Sequence, residues 1–192
     1  MAPAVPFYIH DDDPPAKREI LRAGLKLFSE RGLEATSIRD IAAESGYTNP
    51  ALYKHFPSKE ALALHLFETC HARLWEACSL ALASGRTVHA KLEAYLQCWL
   101  ELLDEHPDVM AFLSDSARVL WPKANTRVRR NTLIGLARSL ARAGHSADPD
   151  LAAAAFQGTL AEVGRMIQVG ALPGPALRWK KGLATLFRNL TK

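Results

Sequence analysis

Residues 37–56 read SIRDIAAESGYTNPALYKHF, and their spacing decides the fold class. Ser37 stands three residues before Asp40, the pattern of a capping box that starts a helix. Ile38, Ile41 and Ala42 form one apolar face, and Gly46 ends this helix after about two turns. Thr48 can cap a second short helix, roughly Asn49 to Phe56. Pro50 is tolerated there because the first turn needs no intrahelical donor. Pro57 stops it. Two such helices around a tight turn make a helix-turn-helix, whose second helix lies in the major groove of DNA.

The outward chemistry suits that task. From Ser45 to Lys59 there is no acidic residue, while Thr48, Asn49, Tyr53, Lys54, His55 and Lys59 are hydrogen-bond donors or cations. Groups of this kind, with helix N-termini, make the phosphate contacts that supply most of the affinity. Leu52 and Phe56 are four apart and face inward, which turns Tyr53, Lys54 and the edge from Thr48 to Ala51 outward. Pro50 and Ala51 let the helix start approach closely. Lys59, on the first turn of the next helix, opposes the macrodipole at a cost of a few tenths of a kcal/mol. A phosphate there would meet both its ammonium and the free amides. An ordinary solvated face is the weaker reading, because turn, caps, apolar spacing and missing acids agree. Tyr53 alone could be a half-buried core residue, and His55 is balanced between phosphate and surface.

Helical periodicity continues on both sides, and no run of alternating β-branched residues announces a strand, so the class is all-α. Helix one is expected from about Ala16 to Arg31, with Ile20, Leu21, Gly24, Leu25, Leu27 and Phe28 as its stripe and Gly32 as its C-cap. A long fourth helix runs from Lys59 to about Ala83, capped by Ser58. Later helices are expected over Val88–Glu105, Pro107–Val119, Asn125–Ala143, about Pro149–Val169 and Ala176–Leu190.

Of 192 residues, 48% are hydrophobic and 23% charged, near the globular average. No apolar run approaches the ~20 residues of a membrane span. The opening MAPAVPFYIHDDDPP lacks a basic n-region followed by an apolar stretch, so it is read as a disordered acidic tail over residues 1–15 rather than a signal. The three cysteines, Cys70, Cys78 and Cys98, have neither disulfide nor zinc spacing, which suits a reducing, cytoplasmic setting. Net charge is +4, which permits a polyanionic partner without demanding one. The basic run Lys123, Arg127, Arg129, Arg130 reads as a solvated helix start.

Trp75, Tyr95, Cys98, Trp99, His106, Met110, Phe112 and Trp121 are candidates for a small-molecule pocket, against the plainer reading of aromatic core. A lipophilic effector would suit them. Cys70, His71, Cys78 and His65 could suggest a metal or thiol sensor. However, Cys70 and Cys78 share the apolar face with Phe67 and Leu74, so buried cysteine is the better reading. No metal site and no cofactor is expected. An all-α enzyme fails for want of a nucleophile–base pair or Gly-rich phosphate loop. A helical accessory protein working through protein contacts is opposed by Tyr53, Lys54 and Lys59.

Residues 16–67 resemble the DNA-binding domain of the TetR (tetracycline repressor) family. The resemblance is carried by REILRAGLKLFSERGLEATSIRDIAAESG, LYKHF and PSKEALALHLFE. It implies about nine helices, an N-terminal DNA-binding domain over 16–67 and a C-terminal ligand-binding and dimerisation domain over 68–192. It further implies a homodimer on a palindromic operator, a repressor released by a small effector. By position it implies Thr36 and Ser37 on phosphate and Arg39 near base or phosphate. Tyr47, Thr48, Asn49, Pro50 and Lys54 would face the groove, and Tyr53, His55 and Lys59 would hold the backbone. Tyr47-Thr48-Asn49-Pro50 departs from the family's commoner aliphatic residue, Ser, small or basic residue and Gly. The last two helices would form the dimer interface through Phe156, Leu160, Val163, Ile167, Leu183, Leu186 and Phe187.

Overall fold

The computed structural model describes residues 6–190, and among them there is no strand. The helices are α1 (Pro15–Arg31), α2 (Ile38–Ser45), α3 (Asn49–His55), α4 (Lys59–Ser84), α5 (Val88–Glu105), α6 (Pro107–Leu120), α7 (Thr126–Arg130), α8 (Leu133–Ala143), α9 (Pro149–Gln168) and α10 (Lys180–Leu190). Short 3-10 turns lie at Trp121–Lys123 and Ala176–Trp179. The described residues form two compact units, one drawn from those up to His71 with Asp108–Arg129, the other from Ala72–Pro107 with those from Arg130 onward. This departs from a contiguous division at residue 67, since most of α6 packs with the N-terminal unit.

In the first unit α1 buries Ile20, Leu21, Leu25, Leu27 and Phe28. Gly24 makes room for α4, because a Cβ there would lie 2.6 Å from Leu62 Cδ2. The Phe28 ring stacks on Phe112 of α6 at 5.8 Å, and Trp121 packs edge-on to Phe67 at 6.3 Å. These apolar contacts hold residues 108–129 to this unit.

Residues 6–14 correct the expectation of a solvated tail. Ile9 is 1% exposed, and the Asp13 carboxylate accepts from the His10 amide at 2.8 Å and pairs with Lys17 at 2.6 Å. An apolar anchor and a paired acid outweigh the polar composition. Residues 1–5 of the expected tail lie outside the described residues.

The second unit is built on α5, which buries Leu92, Tyr95, Leu96, Trp99, Leu100 and Leu103. Phe156 of α9 lies 5.4 Å from the Tyr95 ring and 4.0 Å from that of Phe187 on α10. Two boundaries differ from expectation. The helix expected over Asn125–Ala143 is broken, because the Thr132 hydroxyl accepts from the Gly135 amide at 2.9 Å and starts α8 afresh. The last helix opens as a 3-10 turn, whose Ala176 and Leu177 amides donate to the Asp104 carboxylate at 2.6 and 3.1 Å.

Candidate nucleic-acid interface

The local chain builds the helix-turn-helix as its residues dictate. The Ser37 hydroxyl accepts from the Asp40 amide at 3.2 Å while the Asp40 carboxylate accepts from the Ser37 amide at 2.8 Å, closing the capping box. Those hydrogen bonds from Ser37 hold the Asp40 carboxyl below the usual carboxylate range. Gly46 adopts φ 74° and ψ 16°, the left-handed conformation that ends α2 and redirects the chain. Thr48 occupies the N-cap position of α3 in extended geometry, yet its hydroxyl makes no capping bond.

One face of α3 is anchored: Leu52 is 1% exposed and Phe56 5%. The other face is open. Tyr53 is 52% exposed, Thr48, Pro50 and Lys54 are exposed, and Tyr47, Asn49, Ala51 and His55 are half-buried. Ser37 and Arg39 are exposed at the start of α2. The helix therefore displays a phenol, an ammonium and hydroxyl and amide groups to solvent, with no carboxylate between Ser45 and Lys59.

Two residues do something other than expected. Thr36 is 2% exposed, and its hydroxyl donates to the Gly32 carbonyl at 2.9 Å and the Leu27 carbonyl at 3.3 Å. It fastens the loop behind α1, its hydroxyl turned into the unit. Lys59 turns back into the same unit, where its ammonium donates to the carbonyls of Leu33 at 2.6 Å and Thr36 at 2.7 Å. This cation satisfies loop carbonyls left over between α1 and α2. Sequence position alone hides the contact, since its partners lie more than twenty residues away.

The candidate pocket residues divide between the units. Met110, Phe112 and Trp121 lie in the first, and Trp75, Tyr95, Cys98, Trp99 and His106 in the second. Tyr95, Trp99, Met110 and Phe112 are buried, and Trp75, Cys98, His106 and Trp121 are half-buried. The Trp99 indole N–H is buried without a hydrogen-bond partner. The Tyr95 hydroxyl donates to the Gln157 side-chain oxygen at 3.0 Å. A cleft of about 410 Å³ in the second unit involves a different set, including Val88, His89, Leu140, His145 and Arg188.

The expected dimer residues also divide. Phe156, Leu160, Leu183 and Phe187 are 0–6% exposed and fill the second unit's own core. Their apolar area is already covered within the subunit. Val163 and Ile167 are half-buried, and Leu186 is 46% exposed. The outer face of α9 carries Leu151, Ala154, Gly158 and Ala161, all exposed, and Val169 just past its end is exposed too. Helical spacing alone could not tell which side of a two-faced apolar helix is covered from within.

Residues 20–66 match the family model described as bacterial regulatory proteins, tetR family. The chain is 34% identical over 104 residues to the HTH-type transcriptional repressor KstR2 of Rhodococcus jostii, covering 54% of this chain and 51% of that protein. It thus spans about half the length of this curated relative. The solved structure of the ketosteroid transcriptional regulator KstR2 of Mycobacterium tuberculosis superposes with a TM-score of 0.78 at 22% identity, covering 92% and 95% of the two chains. That of FadR from Bacillus subtilis in complex with stearoyl-CoA gives 0.69 at 16% identity over 88% and 96%. These last two likenesses concern the fold. Its helix-turn-helix thus lies within the segment that matches the tetR family model, and its helical architecture is similar to that of these solved regulators.

Proposed function

We propose that this protein is a sequence-specific DNA-binding regulator, a repressor that leaves a palindromic operator when a small lipophilic effector binds. It acts as a homodimer in the cytoplasm. The observation that carries this reading is the open face of α3, where Tyr53 and Lys54 stand in solvent while Leu52 and Phe56 hold the helix to its unit. Arg39 and the unengaged Thr48 hydroxyl extend that face. Major-groove readout needs a rigid rod with donors and cations on one side, and this is one.

Release is a two-state balance that the effector shifts by its differential affinity for the two states. The unpartnered Trp99 indole N–H supports an effector acceptor group in the second unit, because a buried donor without a partner costs about 1–3 kcal/mol. Helix α4 belongs to both units, its residues through His71 to the first and from Ala72 to the second. A shift of its C-terminal half is carried along one continuous rod and alters the match to half-sites about 34–36 Å apart. The dimer uses the exposed side of α9, where Ala154, Gly158 and Ala161 permit close helix approach, together with Leu186. Known regulators of similar fold include one solved with stearoyl-CoA and one described as a ketosteroid regulator, which agrees with a lipophilic effector.

Selection of genomic fragments by the full chain, followed by fluorescence anisotropy on the recovered sequence, tests the reading. The expected result is a palindromic site whose log K falls linearly with log salt. Retention of no fragment would sink it.

A further inference from the structure

Helices α4 and α5 are joined by residues 85–87 alone, so α5 folds back along α4. The start of this hairpin is tight: a Cβ on Gly85 would lie 2.5 Å from the Lys91 amide nitrogen. In an antiparallel pair, facing positions keep a constant sum of residue numbers. Seven residues back along α4 and seven forward along α5, about two turns each, the register set by Gly85 and Lys91 reaches Cys78 and Cys98.

The two thiols interact as that register requires, each shifting the other. Cys78 is buried and Cys98 half-buried. Cys78 beside it holds the Cys98 thiol below its ordinary value, against burial and the carboxylates of Glu101 and Glu105, which push it up. The Cys78 thiol is pushed up by Cys98 and by burial. Cys98 is thus the more accessible residue of the two, with Cys78 behind it. Redox-sensing cysteines have this arrangement, an accessible thiolate beside a resolving thiol.

We propose that Cys98 and Cys78 form a reversible redox pair, in which a hydroperoxide oxidises Cys98 and Cys78 closes a disulfide across the α4–α5 hairpin. The Cys98 thiolate attacks the terminal peroxide oxygen. The O–O bond breaks, Cys98 becomes a sulfenic acid, and the departing alkoxide takes a proton from water. Cys78 gives up its proton and attacks the Cys98 sulfur. The S–S bond forms, the S–O bond breaks, and hydroxide leaves as water with that proton. In sum two thiols are oxidised, and one hydroperoxide is reduced to an alcohol and water. The sulfurs close to about 2.05 Å. Cys70 is excluded from the pair because it lies on α4 in the other unit, fully buried. The modification does not depend on the proposed DNA-binding function.

The test is a titration of the full chain with hydrogen peroxide, alkylation of remaining thiols after unfolding, and peptide mass mapping without reductant. The expected product joins the Cys78 and Cys98 peptides with loss of two hydrogens, leaves Cys70 alkylated, and reverts with dithiothreitol. Cys98→Ser leaves Cys78 alkylatable after the same exposure, whereas Cys78→Ser strands Cys98 as sulfenic and sulfinic acid. Circular dichroism confirms that both variants fold. The proposal is overturned if wild-type Cys98 goes to sulfinic acid with Cys78 still free. It is equally overturned if the bridge joins two chains, or if both thiols survive peroxide that oxidises free cysteine.

Discussion

The ammonium of Lys59 donates to the carbonyl of Thr36 at 2.7 Å, tying the first turn of α4 to the loop that enters α2. Its second bond, to the Leu33 carbonyl at 2.6 Å, fixes the same loop. The charge at the start of α4 therefore braces the helix-turn-helix from behind. Lys59→Met keeps the aliphatic stem and strands two carbonyls. It is expected to lower stability by about 2 kcal/mol, read by urea unfolding, and to leave the salt slope of DNA binding unchanged.

Lys54→Ala should behave in the opposite way. Its side chain is exposed on α3, so removal leaves the unfolding midpoint in place. If it meets a phosphate, the slope of log K against log salt falls in magnitude by about 1. Anisotropy at several salt concentrations separates this from the Lys59 variant.

Gly46 holds φ 74°, and a Cβ there would touch nothing within 4 Å. The cost of Gly46→Ala is therefore conformational, about 1–2 kcal/mol for an L-residue in the left-handed region. Gly46→Asn should cost less, since Asn tolerates that region. Thermal unfolding of both variants measures the difference.

His71 is 7% exposed, its Nδ1 lacks a partner, and burial pushes its imidazole down to about 4. The native state holds it neutral between about pH 4 and 6.5, while the unfolded chain binds the proton. Stability rises with pH across that window. As pH falls from 6.5 the His71 contribution is lost by up to about 1.4 kcal/mol per unit. Urea unfolding of His71→Leu from pH 4 to 7 should show a flatter profile than the wild type.

Gly158 faces open space on α9, so a larger side chain meets nothing in its own subunit. Gly158→Glu should then leave the fold intact and convert the proposed dimer to a monomer by light scattering, with operator affinity reduced accordingly. A dimer surviving this change would place the interface elsewhere.

The fold was legible where short-range chemistry decides it. Ser37 with Asp40, Gly46, and Leu52 with Phe56 act within four residues of each other, so their spacing predicts α2, the turn and α3. Trp121-Pro122 likewise marks the end of α6. What escaped was long-range. The choice of Thr36 and Lys59 as mutual braces depends on a loop closing onto a distant helix. The burial of Phe156, Leu160, Leu183 and Phe187 depends on which faces of α5, α9 and α10 meet. The Asp-rich leader misled for another reason: three acidic residues dominated its composition, while Ile9 and the paired Asp13 decided its packing.

The stacking of Phe28 on Phe112 carries a consequence for biosynthesis. Half of that aromatic pair is translated some eighty positions after the other. While the ribosome is still extending α4 or α5, Phe28 has no partner and the N-terminal head lacks part of its apolar lining. A nascent chain must expose residues through about Arg129 before the head can close completely. The Phe28–Phe112 contact therefore forms after the local contacts among α1, α2 and α3, which need no later part of the chain. Excision of the head at His71 would yield a fragment with uncovered hydrophobic surface, prone to self-association.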